Sequence, residues 1–371
     1  MSGTMMLQPL EFDVCGPLPR GVTVLEASAG TGKTYTIAAL TARYVAEGTP
    51  LERLLLVTFT RIATGELRER VRERLVAVER GLGRRLAGAA ADGEEDPVVA
   101  LLAAGDAALA RERLARAVAG FDAATIATTH GFCQEVLGGL GIAGDLEPDV
   151  AFVEDLSDLV SDVVDDLYVR RFSRGDPPPF ARAEAAAIVR AAIENPEATI
   201  VSAGGPVAEM RGRLAVKARE ELERRKRAMA VMTYDDLVSR LKTTLEGPGG
   251  AATAAQLRER FHVVLVDEFQ DTDPAQWEIM REAFGSEPDP SQVRALVLIA
   301  DPKQAIYAFR GADVQAYLQA AELAEQRATL GQNWRSDPAL LDGLDAVFRG
   351  AALGDPRIVV RPASAAHEGR S

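Results

Sequence analysis

A lysine and a threonine close a small-residue loop, Ala27-Ser28-Ala29-Gly30-Thr31-Gly32-Lys33-Thr34, and an adjacent pair of acids, Asp267 and Glu268, follows an apolar run far downstream. Residues of these types suit the transfer of a phosphoryl group from a nucleotide to water. Glycines and small residues let successive backbone N–H groups curl around phosphate oxygens; Lys33 is spaced to reach the β- and γ-phosphates and the Thr34 hydroxyl to meet Mg²⁺. Ala27 stands where the usual pattern has glycine, which alanine can replace at negative φ. Asp267, one residue past its apolar run, is placed to hold Mg²⁺, and Glu268 to orient and deprotonate the attacking water. Gln304 ends the next apolar run and is a candidate γ-phosphate sensor, although a surface glutamine would read the same way. Arg310 and Arg335 are candidate cations for the charge that develops, and spacing alone does not select them.

These groups need elements that bring distant chain segments to one place. Val22–Leu25 alternates like a strand, and the helical stretch TYTIAALTARYVAEG follows the loop. Continuous apolar runs at Leu54–Val57, Val263–Val266 and Ala295–Ile299 suit strands buried on both faces, with a shorter one at Ala124–Thr129. Each is followed at once by polar residues, the pattern of an open parallel α/β sheet whose ligand lies beyond the carboxyl ends of the strands. A further helix is predicted from Leu67, Val71, Leu75 and Val78, with Arg68, Arg70, Arg72 and Arg74 on a solvated face.

The stretch from Gly81 to Gly120, rich in Ala, Arg and Gly, carries no chemistry of its own. Between about 145 and 230 the composition turns to acidic and then basic helical sequence, a separate insertion. Its acidic stripe (Glu154, Asp155, Asp158, Asp162, Asp165, Asp166) and basic stripe (Arg211, Arg213, Lys217, Arg219, Arg224, Arg225, Lys226, Arg227) read as solvated helix faces, a phosphate-tracking surface being the lesser alternative for the basic one. The tail from Pro356 offers only Ile358, Val359 and Val360 toward a core and is expected to fray.

Composition sets limits. The 371 residues are 47% hydrophobic and 26% charged, ordinary for a globular protein of two or three domains. No apolar run is long enough for a membrane span and the first residues lack a secretory pattern, so a cytoplasmic protein is expected. Two cysteines and three histidines give neither a disulfide framework nor a zinc site at the usual spacings. A net charge of −13 argues against coating nucleic acid by bulk electrostatics. A local groove stays open, because charges beyond a Debye length of about 8 Å are largely screened.

The segments EASAGTGKTYTIAAL, LLLVTFTRIATGELRERV, TTHGFCQEVL, MTYDDL, VLVDEFQDTDPAQWEI, LIADPKQAIYAFRGAD and LGQNWRSDPALL are similar, in order, to motifs I, Ia, Ib, Ic, II, III and IV of superfamily 1 helicases of the UvrD/Rep type, with wording closest to the RecB-like branch. The resemblance implies a RecA-like P-loop NTPase domain with a parallel sheet plus a helical insertion domain. It divides the chain as 1–140 and 231–350 for the two parts of the ATP-binding domain, 141–230 for the insertion and 351–371 for a tail. It implies an ATP-hydrolysing DNA helicase motor of double-strand break repair and recombination, using ATP and Mg²⁺ on single-stranded DNA or duplex ends, with RecC- and RecD-like partner subunits and no membrane.

Carried over by position, Lys33 and Thr34 bind phosphate and Mg²⁺, Asp267 the metal and Glu268 the water, while Gln304 couples the γ-phosphate to DNA and Arg335 is the arginine finger. Thr58, Phe59, Thr60, Thr129, His130, Phe132 and Tyr234 fall in motifs that line the single-strand path. Phe309 and Arg310 follow in motif III, where an aromatic residue stacks on a base. Taken alone, His130 would more often be structural. Arg20 stands where the family has an adenine-reading glutamine, which opens the choice of ATP or GTP. The stretch between motifs Ib and Ic is shorter than expected for a RecB-like accessory domain. The sequence stops soon after motif IV, giving the expectation of a motor truncated before its second lobe and nuclease domain, able to hydrolyse ATP slowly but not to unwind processively. The other hypotheses are a non-unwinding, ATP-responsive single-stranded DNA-binding or partner subunit, and an unrelated P-loop NTPase.

Overall fold

The computed structural model describes residues 10–89, 96–140, 150–153, 155–173, 177–195, 198–285, 294–306 and 313–367. Its strands in chain order are β1 (Leu10–Glu11), β2 (Gly21–Glu26), β3 (Leu54–Thr58), β4 (Thr125–Thr128), β5 (Ala151–Phe152), β6 (Val231–Met232), β7 (Val263–Val266), β8 (Ala295–Ala300), β9 (Gln326–Thr329), β10 (Gln332–Asn333) and β11 (Ser364–Ala365). The helices are α1 (Lys33–Glu47), α2 (Arg61–Leu86), α3 (Pro97–Ala103), α4 (Ala107–Ala119), α5 (Thr129–Leu140), α6 (Ser157–Phe172) and α7 (Arg182–Glu194). They continue with α8 (Pro206–Met229), α9 (Tyr234–Glu246), α10 (Gly250–Arg260), α11 (Pro274–Phe284), α12 (Val314–Leu323) and α13 (Pro338–Phe348).

The chain divides into two compact units. Residues up to Val136 and from Leu241 onward form the first, and Leu137–Arg240 the second.

The first unit is built on a seven-stranded sheet in the order β1-β9-β2-β8-β7-β3-β4, every pairing parallel. Every residue of β2, β3, β7 and β8 is buried, which is why these segments read as unbroken apolar runs rather than alternating ones. Leu25, Leu54, Leu56, Val263, Leu265, Val297 and Ile299 turn to one face, where they join Ile37 and Leu40 of α1, Leu67, Val71, Leu75 and Val78 of α2, and Leu114 of α4 in one core. Their sequence neighbours, such as Leu55, Val264 and Leu298, are as deeply buried and point to the opposite face. The strand order puts β2 between β8 and β9, so chain segments far apart in sequence end side by side at one edge. That edge is where an open α/β sheet binds its ligand.

Two expectations need correction in this unit. Arg74 is not solvated: its side chain is 10% exposed, forks onto the Asp96 carboxylate and lies 5.0 Å from the Tyr35 ring. The described part of the tail, through His367, does not fray. Strand β11 pairs with β10, Ile358 is 3% exposed, Arg361 forms an ion pair with the buried Glu26, and the His367 ring meets Trp334 edge-on at 5.8 Å. A short apolar triplet supplies the anchor and ionic contacts supply the rest, and the ionic part leaves no periodic trace in sequence.

In the second unit α6, α7 and α8 close on Val163, Val164, Phe180, Ala185, Val189 and Ala218, and β5 and β6 form a short parallel ladder. The two charged stripes meet directly at Arg225 and Asp166, and each also pairs with α7: Asp165 with Arg182 at 2.6 Å, and Arg211 with Glu184. Arg224 and Arg225 both hold Glu221 within α8. Lys226 is 5% exposed and bonds Asp236 at 2.7 Å, so it leaves the solvated face altogether. Glu154 lies outside the described residues.

Candidate active site

Three strand ends converge on one cleft. After β2 the chain turns through Ser28–Gly32, with Gly30 at φ +81° and Gly32 at φ +85°, left-handed values that favour glycine. Helix α1 then begins at Lys33. The Thr31 hydroxyl accepts from Ser28 N–H and donates to Ser28 C=O, pinning the loop from inside. After β7 come Asp267 and Glu268, and after β8 come Asp301 and Gln304. The cleft encloses about 560 Å³ and is lined by Ser28, Ala29, Gly30, Gly32, Lys33, Thr34, Tyr35, Glu268, Gln304, Trp334 and Arg335. Lys33, Thr34, Glu268, Gln304 and Arg335 are thereby brought together from positions more than 300 residues apart.

Glu268 adopts φ +50°, ψ +42°, a left-handed conformation that a side-chain-bearing residue rarely takes and that costs on the order of 1–2 kcal/mol. In that conformation its Oε2 lies 2.9 Å from Lys33 Nζ. Asp267 beside it is half-buried, and that burial, reinforced by the Glu268 charge, pushes its carboxyl up to about 6. Burial and Glu268 raise Asp271 to about 6 as well, and its Oδ1 is buried without a partner among the described residues. A region this rich in carboxylate and poor in solvent favours a cation. No cluster of three or more His, Cys, Asp or Glu able to hold a metal occurs among the described residues, so phosphate and water oxygens would complete any set begun by Thr34 and Asp267. That donor set fits Mg²⁺.

Sequence reasoning missed the residues that lock the site. Asn333, buried in β10, donates to Ala29 C=O at 2.9 Å and accepts from Arg335 N–H and Ser336 N–H at 2.8 Å each, while Trp334 N–H donates to Gly30 C=O. This clamp fixes Arg335 over the loop, and a Cβ on Gly30 would sit 2.8 Å from the Arg335 Cβ. The Arg335 side chain lines the cleft beside the loop. Lys303 bonds Asp301 at 2.8 Å and Ala27 C=O at 3.2 Å, tying β8 to the loop. Tyr35 and Trp334, 45% and 52% exposed, form an aromatic margin to the cleft. The aromatic and amide between Gln332 and Arg335 were visible as QNW, but nothing local says which way they face.

The residues assigned to a strand path are distributed differently. Thr58 ends β3 and Thr129 opens α5 directly after β4, on the same carboxyl edge as the cleft and farther along it. Thr58 is buried with its hydroxyl unpartnered among the described residues, Phe59 is half-buried, and exposed Thr60 caps α2 by accepting from Ala63 N–H. His130 is half-buried at the start of α5. Phe132 needs correction: it is fully buried and packs against Phe261 and Phe284 at 6.3 and 6.2 Å, so its ring fills a core and offers no face to a base. In the second unit Tyr234 is already stacked on Phe152 at 5.6 Å and 12°. Phe309 and Arg310 lie outside the described residues.

Arg20 is also corrected. It precedes β2, whose six residues extend about 20 Å at roughly 3.3 Å each, so it stands at the opposite edge of the sheet from the phosphate loop. There it lines a separate hollow with Tyr44, Arg113 and His262. It is not placed to read a base bound at the cleft, and its identity does not bear on ATP against GTP.

The profile of the UvrD/REP helicase N-terminal domain matches residues 13–325. The chain belongs to this family. Among UvrD/REP relatives, the RecBCD enzyme subunit RecB of Mycolicibacterium smegmatis is 49% identical over 96% of this chain, and that of Mycobacterium tuberculosis 48% identical over the same share. The RecBCD enzyme subunit RecB of Escherichia coli is 29% identical over 89% of it. The chain covers 32%, 32% and 38% of these relatives, about a third of their length. The all-parallel sheet and the phosphate loop at its carboxyl edge are the fold expected of a UvrD/REP motor domain. No helix among the described residues is long and apolar enough to cross a membrane.

Proposed function

We propose that this chain is the ATP-binding and ATP-hydrolysing motor part of a RecB-like helicase acting in double-strand break repair and recombination. What carries the reading is the convergence of the phosphate loop, Lys33, Glu268, Gln304 and Arg335 on one cleft. The loop N–H groups and the α1 dipole receive the triphosphate, and the Lys33 ammonium moves from Glu268 to the β/γ-phosphate oxygens. Glu268 takes the proton of the attacking water, Gln304 bonds the γ-phosphate, and Arg335 balances charge in the transition state. Thr34 and Asp267 would hold a Mg²⁺, which when bound would supply further charge neutralisation. Trp334 and Tyr35 offer flat faces to the base.

Single-stranded DNA or duplex ends are the proposed nucleic-acid ligand, taken along the edge that continues from the cleft to Thr58, Thr60, Thr129 and His130. RecC- and RecD-like chains are the proposed partners, from the names of the relatives. The test is single-turnover ATP hydrolysis by the purified chain, with and without single-stranded DNA, in the wild type and Glu268→Gln. The reading requires hydrolysis that depends on Glu268 and responds to DNA; turnover indifferent to Glu268 would refute it.

A further inference from the structure

Gln270 is 2% exposed, has no reach into the cleft and takes no part in the chemistry above, yet it touches both sides of it. Its Nε2 donates to Glu268 Oε2 at 2.8 Å, and its Oε1 accepts from Asp301 N–H at 2.8 Å. Asp301, 1% exposed, in turn accepts from Gln304 Nε2 through Oδ2 at 2.6 Å. Glu268, Gln270, Asp301 and Gln304 therefore form an unbroken hydrogen-bonded line from the water-activating carboxylate after β7 to the phosphate-facing amide after β8.

Resting on the proposed hydrolytic reading, we infer that Gln270 is a positioning residue that fixes the Glu268 carboxylate and ties its orientation to the Gln304 strand end. Lys33 Nζ and Gln270 Nε2 both bind the same oxygen, Oε2, and Oε1 is left to accept a water proton. Phosphate oxygens compete for the Lys33 ammonium, so once they engage it Gln270 is the donor that still holds the carboxylate. Only a side chain with a donor at one corner and an acceptor at the other serves both neighbours. A glutamate of the same shape would set oxygen against the Glu268 oxygen, and an asparagine would fall short by one methylene.

The experiment is single-turnover ATP hydrolysis by Gln270→Leu and Gln270→Glu, each alone and combined with Glu268→Gln, alongside nucleotide affinity from a fluorescent ATP analogue and thermal unfolding. Both single variants are expected to lose about 10²-fold in rate, with affinity for the analogue changed by no more than about threefold. In the Glu268→Gln background the same changes should cost nothing further, because the group they position is gone. A Gln270→Leu rate equal to wild type, or equal fractional losses in both backgrounds, overturns the inference while leaving the hydrolytic reading intact. A wild type indifferent to Glu268→Gln overturns both. If Gln270→Leu does not fold, the isosteric Gln270→Glu decides by the same criteria.

Discussion

Lys33 Nζ and Glu268 Oε2 stand 2.9 Å apart, with the lysine side chain 13% exposed. Under the proposed function, the residue that would grip phosphate and the residue that would activate water thus neutralise each other across the cleft. On that proposal, a triphosphate entering the loop would have to win the ammonium from the carboxylate, and in doing so would free the base.

Glu268→Gln removes that competitor as well as the base. The variant should hydrolyse ATP about 10²–10⁴-fold more slowly, yet bind it more tightly than wild type. Paired single-turnover and equilibrium-binding measurements check this, and slower turnover with weaker binding would contradict the competition.

Asp267 and Asp271 titrate near 6 in the folded chain, against about 3.9 for an unfolded aspartate. The folded state therefore holds more protons between those values, and the stabilisation this gives is full below about pH 4 and lost as pH rises through about 6. Urea midpoints measured with chelator present should fall across that window and level off above it. Asp267→Asn and Asp271→Asn should each flatten the slope.

Trp334 presents an exposed ring at the cleft margin from a backbone anchored by its main-chain N–H bond to Gly30 C=O. Trp334→Ala should weaken nucleotide binding by about 1 kcal/mol, the scale of an aromatic stacking contact, and Trp334→Phe should recover most of it. Calorimetric titration with ADP separates this from a defect in turnover.

Asn333 holds three backbone groups of the loop and of the Arg335 turn from a buried position. Asn333→Ala leaves those groups short of partners and should destabilise the chain by about 1–3 kcal/mol. Nucleotide affinity should fall with it, as denaturation and binding on the same sample will show. Asn333→Asp, which keeps the acceptor and loses the donor, should lie between.

Phe132 distinguishes core from surface. Packed between Phe261 and Phe284, it should cost about 3–5 kcal/mol when truncated to alanine. Phe132→Leu should fold and bind single-stranded DNA like wild type, which anisotropy with a labelled oligonucleotide measures. A selective loss of DNA binding in that variant would restore Phe132 to the strand path.

The sequence by itself determined which residue types stand at the candidate site and their local setting. Strand, phosphate loop and helix at Val22–Glu47, the acids after Val266 and the glutamine after Ala300 are short-range patterns, written by apolar runs, glycine conformations and side-chain types within a few residues of each other. Tertiary structure alone decided which strand ends become neighbours and which way each side chain turns. β2 lies between β8 and β9, so Asn333 grips a loop 304 residues earlier and Lys303 one 276 residues earlier. Phe132 turns inward, Arg20 stands at the far edge, and the tail docks through Ile358 and Arg361. Such contacts depend on sheet order and packing, which join groups irrespective of their distance along the chain, and no local periodicity records them.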